Sequence, residues 1–271
     1  MKTALVLEGG AMRGMYTAGI LDSFMEKGVE FDAVIGVSAG ALFGVNFLSN
    51  QKGRAIRYNK KYNSDKNYLG IIPLIKTGNI VDTHYAYELV PQELDPIDDE
   101  VFKASKVPFY AVITNMETGE PEYVEIKSVF EQMDVLRASG SMPFVSKPVN
   151  IDGKLYLDGA IADSIPFQKM LDMGYERVVV VLTKDKGYVK RPMSKLLTAM
   201  YKKYSRFYEA LNNRHVMYNR QMRELFELEK KGIAKVYQPV NSPRIGKLES
   251  NPDKLEALYR VGYEDGLKGL Q

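Results

Sequence analysis

The sequence predicts an α/β protein built on a mainly parallel sheet covered by helices. Three observations carry the prediction. The opening stretch alternates strand, loop, helix, strand, turn and helix, ending at about residue 50. The run RVVVVLT at Arg177–Thr183 has the unbroken apolar character of a parallel strand buried on both faces. At 271 residues, 45% apolar and 26% charged, the chain is long enough for a substantial core.

In order, Thr3–Leu7 reads as a buried strand and Met15–Lys27 as a helix with Ile20, Leu21 and Phe24 on its apolar side. Phe31–Val37 is a second short strand, followed by the small-residue helix start AGALFGVNFL from Ala39. Residues 51–66 carry Lys52, Arg54, Arg57, Lys60, Lys61 and Lys66 and read as a solvated helix and loop. Pro108–Asn115 and Pro121–Ile126 are strands joined by a Glu117–Thr118–Gly119 turn, and Ser128–Ser139 is helical. VNIDGKLYLDGA, residues 149–160, is a hairpin turning at Asp152–Gly153.

The character changes after Arg191–Pro192, so residues 1–190 form one unit and 191–271 a mainly helical extension packed on it. Long helices run to about Gly232, with Leu197, Met200, Tyr201, Tyr204, Tyr208 and Leu211 at helical spacing. Lys190 to Lys231 holds 11 Lys/Arg against 4 Asp/Glu, and basic helices over 193–231 raise the prospect of peripheral membrane contact. A strand at Ile233–Val240 and a helix from Pro252 to about Lys268 finish the chain.

Composition narrows the chemistry. A net charge of +3 is too small to imply nucleic acid, and the absence of cysteine excludes disulfides, thiolate catalysis and zinc–thiolate sites. MKTALVL is too short for a signal-peptide core, and no apolar run approaches the roughly 18 residues of a membrane span, so the expectation is a soluble cytoplasmic protein. Only two histidines are present, His84 and His215.

LVLEGGAMRGMY, residues 5–16, has the form of a strand ending in a glycine-rich, anion-holding turn. Gly9 and Gly14 have P-loop spacing, but Met15 and Tyr16 replace the required lysine and hydroxyl. A dinucleotide fingerprint fails because position 11 is alanine. A second motif, Gly36–Val37–Ser38–Ala39–Gly40, sits where a buried strand meets a helix. That G-x-S-x-G context thrusts a serine hydroxyl into a cleft above a helix N-terminus. With Ser38 as nucleophile, the anion of the Gly9–Gly14 loop becomes the transient oxyanion of acyl transfer, each backbone donor contributing about 3 kcal/mol.

Ser38 then needs a proton acceptor. His84 begins a helical stretch and His215 lies inside a long polar helix, although the order Ser38, Asp158, His215 matches an α/β-hydrolase triad. Asp158 follows an alternating strand and precedes the small Gly159–Ala160. An unperturbed aspartate with pKa about 3.9 is a weak base, which partial burial would strengthen. The residues alone leave Asp158 open between a base and a turn that ends a strand.

LVLEGGAMRGMYTAGILD, GVSAG, and RASGSMPFVSKPVNIDGKLYLDGAIADSIPF with its Asp158–Gly159–Ala160 together resemble the patatin-like phospholipases over about residues 3–183. The chain looks most similar to a bacterial branch with an added C-terminal segment. The resemblance implies a three-layer α/β/α fold and a Ser38–Asp158 dyad without histidine, supported by Gly36, Gly40, Gly159 and Ala160. It implies an oxyanion loop of Gly9, Gly10, Ala11 and Arg13 closed by Gly14. The implied activity is hydrolysis of acyl esters in phospholipids or related lipids, with no metal or cofactor. A Ser–His–Asp esterase and a non-catalytic lipid-binding protein are the alternatives. The family usually has a third glycine where this chain has Ala11, which costs on the order of 1 kcal/mol if φ is positive there.

Overall fold

The computed structural model describes residues 1–270. Its strands are β1 (Thr3–Leu7), β2 (Ala33–Val37), β3 (Phe109–Asn115), β4 (Pro121–Ile126), β5 (Val149–Ile151), β6 (Lys154–Asp158), β7 (Arg177–Val181) and β8 (Ala234–Tyr237). The helices are α1 (Met15–Glu26), α2 (Ala39–Leu48), α3 (Arg54–Tyr62), α4 (Ile71–Thr77), α5 (Asp99–Ala104), α6 (Met133–Gly140), α7 (Phe167–Asp172), α8 (Lys195–Thr198), α9 (Ser205–Lys230) and α10 (Pro252–Gly269). A π-helical segment covers Tyr85–Leu94 and contains Pro91.

All eight strands join one sheet. β3, β2, β1, β7 and β8 are parallel neighbours in that order, while β4 and β6 run antiparallel to β3 and β5 antiparallel to β6. Asp152 and Gly153 turn the β5–β6 hairpin with φ of 50° and 81°, the paired positive values of a tight primed turn.

One face of the sheet, with Leu5, Leu7 and Val34, packs on the apolar sides of α1, α2 and α10. The other, with Val6, Ile35, Val37 and Val180, packs on Phe167 and Met170 of α7 and Tyr218 and Leu225 of α9. Helices therefore lie on both faces, as predicted. The buried strands β1, β2 and β7 lack alternation because both of their faces are covered.

The region after residue 190 is woven into this architecture. β8 extends the sheet beside β7, α9 covers one face, and α10 packs against α1 on the other. α10 approaches α1 closely: a Cβ at Gly262 would lie 2.0 Å from the Tyr16 carbonyl oxygen. Tyr16 donates to Asp265 Oδ2 at 3.0 Å and Tyr259 to Asp22 Oδ2 at 2.7 Å across the same contact.

The structure corrects several boundaries. The helix expected through Leu197–Leu211 is broken into α8, a 3-10 turn at Ala199–Tyr201 and α9, so Leu197 (54% exposed) and Met200 (66%) face outward while Tyr201 and Leu211 are buried. The strand expected to Val240 stops at Tyr237, two residues before Pro239, which has no N–H to give a ladder. The first residues of the expected 128–139 helix form turns, and α6 begins at Met133.

Candidate active site

Ser38 occupies the junction of β2 and α2 with φ 54° and ψ −123°, a conformation disfavoured for any residue with a Cβ. The neighbouring chain makes the sharp turn feasible by being small. A Cβ at Gly36 would come within 2.6 Å of Ala41 backbone atoms, and one at Gly40 within 2.3 Å of the Leu7 carbonyl oxygen. The turn is pinned by hydrogen bonds. Ser38 N–H donates to Ser139 Oγ at 2.9 Å, and its carbonyl accepts from Ala41 and Leu42 N–H at 3.0 and 3.1 Å. The side chain is directed onto the end of β6, where Ser38 Oγ donates to Asp158 Oδ2 at 2.8 Å.

The sheet brings these two residues together. β4 occupies one edge of β3 along Phe109–Thr114, so β2 and β6 must share the other. β2 takes Phe109 to Val112 and ends with Val37 opposite Val112. β6 takes over at the next residue, with Asp158 opposite Ile113. Ser38 leaves the end of β2 where Asp158 ends β6. Gly159 permits the close approach, since a Cβ there would lie 2.1 Å from the Val112 carbonyl oxygen.

Asp158 is 5% exposed and Ser38 4%. The second carboxylate oxygen accepts the Ala160 N–H at 2.9 Å, and the Asp158 carbonyl accepts from Thr114 Oγ1 at 2.9 Å, so the group is held from both sides. Burial raises its pKa above the ordinary carboxylate range; Arg214, the Ala160 N–H and the Ser38 hydroxyl partly offset that rise. A buried carboxylate of raised basicity with an oxygen on a serine hydroxyl is positioned to take that proton.

The Gly9–Gly14 loop lies against the serine. A Cβ at Gly9 would sit 2.7 Å from Ser38 Cβ, so only glycine lets the loop come this near. Gly10 lies against Thr183, with a Cβ 2.5 Å from Thr183 Oγ1, and Gly14 against Phe43. Ala11 takes φ 50°, the left-handed value that favours glycine. Arg13 N–H closes the turn onto the Gly10 carbonyl at 3.2 Å. Among the described residues, the N–H groups of Gly9, Gly10 and Ala11 make no hydrogen bond. The loop is anchored from behind by Glu8, whose buried Oε2 accepts the Thr183 N–H at 2.6 Å and Thr183 Oγ1 at 3.1 Å. Glu8, Thr183 and Ser139 escaped the sequence reading because their partners lie more than a hundred residues away.

The histidines stand differently. His84 is exposed and its Nδ1 meets Glu88 Oε2 at 2.9 Å. His215 lies in α9 and lines the same cavity as Ser38, but its Nδ1 is held on the Asn212 carbonyl at 2.9 Å. Neither intervenes between Ser38 and Asp158, which bond directly. Among the described residues no group of acidic and histidine side chains is arranged to hold a metal.

A sequence model described as Patatin-like phospholipase matches residues 5–171, more than half of the chain and all the residues just placed around Ser38 as far as Ala160. The chain belongs to the patatin-like phospholipase family. A second model, described as a domain of unknown function (DUF6363), matches residues 204–271. The uncharacterized protein YjjU of Escherichia coli (strain K12) is 32% identical over 188 residues, covering 67% of this chain and 52% of that protein. Lysophospholipase nte1 of Aspergillus fumigatus is 25% identical over 182 residues, covering 65% of this chain and 12% of that protein. This chain thus spans about half the length of the Escherichia coli relative and a small part of the fungal one. Among solved structures, VipD from Legionella pneumophila is similar with a TM-score of 0.45 at 14% identity, covering 98% of this chain and 66% of that one.

Two cavities meet at the serine of this patatin-like site, both lined by Ser38 and Ala11. One, of about 130 Å³, runs under the helices that follow α2 and is walled by Leu42, Phe43, Val81, Val90, Met133 and Leu136. The other, of about 470 Å³, reaches Asp158, the glycine loop and a group of cationic side chains. Its cations after residue 180 carry no motif. Arg214 drew no attention in the sequence, and only the packing of α9 brings it to the site, where its Nε donates to the Ala160 carbonyl at 2.6 Å.

Proposed function

We propose that the protein hydrolyses acyl esters of phospholipids or related lipids through a Ser38–Asp158 dyad. The observation that carries this reading is the 2.8 Å hydrogen bond from Ser38 Oγ to Asp158 Oδ2 inside a buried pocket. Ser38 Oγ attacks the ester carbonyl while Asp158 accepts its proton. The negative charge that develops on the carbonyl oxygen is met by the free N–H groups of the Gly9–Ala11 loop, with Arg13 adding positive charge. Collapse expels the alcohol, which takes the proton from Asp158. A water then gives its proton to Asp158 and attacks the acyl-serine, releasing the fatty acid and restoring the hydroxyl. The apolar cavity at Ser38 suits an acyl chain. The lysophospholipase name of the fungal relative supports the same substrate class.

Lipid would reach this site from the surface beside the Phe144–Val145 segment, which lines the larger cavity. That segment contacts two elements with exposed apolar side chains. Ile80 N–H donates to the Val145 carbonyl just after α4, where Ile71 and Ile75 are exposed. The Phe144 N–H donates to Tyr201 Oη just after α8, where Leu196 and Met200 are exposed. In this reading the membrane-facing surface is formed by α4 and α8, the latter at the start of the basic helices 193–231. No helix among the described residues is long and apolar enough to cross a membrane.

The test is turnover of a chromogenic short-chain ester together with labelling by a fluorophosphonate. Ser38→Ala and Asp158→Asn lose turnover, and the wild type forms one adduct, on Ser38. Loss of turnover in a folded His215→Ala protein equal to that of Asp158→Asn would instead favour a histidine base. A folded wild type that takes no label would favour a lipid-binding protein.

A further inference from the structure

The larger cavity beside Ser38 is walled by Lys184, Lys190, Arg214 and Lys247. All four lie beyond residue 171, where the patatin-like match ends, and two fall within the second matched segment. Resting on the hydrolase reading above, we infer that this cavity is a headgroup subsite for a phosphate carried on the alcohol side of the ester.

The charge balance of the cavity is one-sided. Its two carboxylates are already engaged, Glu8 by Thr183 and Asp158 by Ser38 and the Ala160 N–H. Among the described residues none of the four cations takes part in an ion pair. Solvated surface lysines need no partners, but these line a concavity shared with the reactive serine. Burial with the repulsion of Arg214 pulls Lys190 down to about 7, and burial with the repulsion of Arg13 pulls Lys184 to about 8. A bound anion would reverse that cost.

The cations are also held in position. Arg214 is fixed on the Ala160 carbonyl, two residues from Asp158. Asn219 of α9 grips the Lys190 backbone through both N–H and carbonyl, each at 2.9 Å, and Lys190 Nζ lies 4.2 Å from the Tyr218 ring centroid. Met12 N–H donates to the Lys247 carbonyl at 3.3 Å, tying the segment before α10 to the glycine loop. Four cationic side chains from three stretches of chain line this one cavity, which suits the several oxygens of a phosphate better than a single carboxylate. The alcohol side follows from the other cavity, whose wall is mostly apolar and whose cations are Arg54, already held on Asn46 and the Asp95 carbonyl, and Lys247, which the two cavities share.

The experiment compares kcat/KM of the full chain on two soluble esters of one octanoyl chain, octanoylglycerol 3-phosphate and octanoylglycerol. The wild type favours the phosphate ester by about tenfold or more, and Lys190→Met combined with Lys247→Met removes that preference through KM. Equal values on the two esters in the wild type, or a preference that survives the double substitution, overturns the subsite. Calorimetry of Ser38→Ala with glycerol 3-phosphate and with inorganic phosphate separates headgroup from free ion. Tighter binding of glycerol 3-phosphate is expected, and binding of inorganic phosphate alone overturns a headgroup site. Lysine-dependent binding of glycerol 3-phosphate without turnover of any ester would sink the hydrolase reading and leave the anion site standing.

Discussion

Ser38 and Asp158 are 120 positions apart in the chain and joined by one buried hydrogen bond, because β2 and β6 occupy successive lengths of the same edge of β3. The register of three strands, rather than a loop, sets the distance between hydroxyl and carboxylate. A site carried on strands keeps its geometry more faithfully than one carried on loops.

Asp158→Asn should abolish turnover while raising stability at neutral pH. The folded protein raises the pKa of this carboxyl through burial, so its stabilising contribution is complete below the unfolded value and is lost as pH climbs through the folded one. Asparagine does not titrate; its Oδ1 can accept the Ala160 N–H while its amide N–H donates to Ser38 Oγ, reversing that bond. Denaturation at a series of pH values should show the variant gaining on the wild type as pH rises from about 4. Activity should fall on the order of a thousandfold. In the wild type the acid limb of kcat/KM should lie above the ordinary carboxylate range, since the base must be ionised.

Ser38→Gly should be more stable than Ser38→Ala by about 1–2 kcal/mol, both being inactive. The backbone at Ser38 is strained for any side chain, and glycine alone relieves it, less the chain entropy that glycine loses on folding. Chemical denaturation of the pair decides the matter; equal midpoints and slopes would show that the turn at Ser38 stores no strain.

At Ala11 the left-handed backbone costs about 1 kcal/mol with a Cβ present. Ala11→Gly should therefore raise stability, by less than about 1 kcal/mol after the entropy of glycine is subtracted, and shift Tm upward by about 2 °C. A lower Tm would mean that the Cβ contributes packing that outweighs its strain.

Ile75→Glu and Leu196→Glu should weaken binding to anionic lipid vesicles with little change in thermal stability. Both side chains are exposed and hold nothing in the core. Co-sedimentation with vesicles gives the readout, and unchanged binding of the double variant would remove α4 and α8 from the membrane-facing surface.

Much of the fold was legible in the chain. Runs such as Thr3–Leu7 and Arg177–Val181 must be strands covered on both faces, Asp152–Gly153 must turn a hairpin, and GVSAG must make a sharp turn. These are local consequences of apolar periodicity and of where a Cβ fits. Leu197 and Met200 were misplaced because spacing alone does not reveal that the helix breaks before α9 and turns those residues outward.

By itself, then, the sequence determined the layers, the position of Ser38 and the glycine loop, because each rests on short stretches whose own geometry admits few alternatives. Only the tertiary structure decided the partner of the serine. Asp158 could have closed a turn, and His215 stood in triad order, until the edge shared by β2 and β6 brought Asp158 to 2.8 Å. It also decided that Glu8 anchors the loop, that Ala11 takes a positive φ, and that Lys190, Arg214 and Lys247 line the cavity beside the serine. Those facts depend on contacts between residues far apart in the chain, and packing alone chooses such contacts.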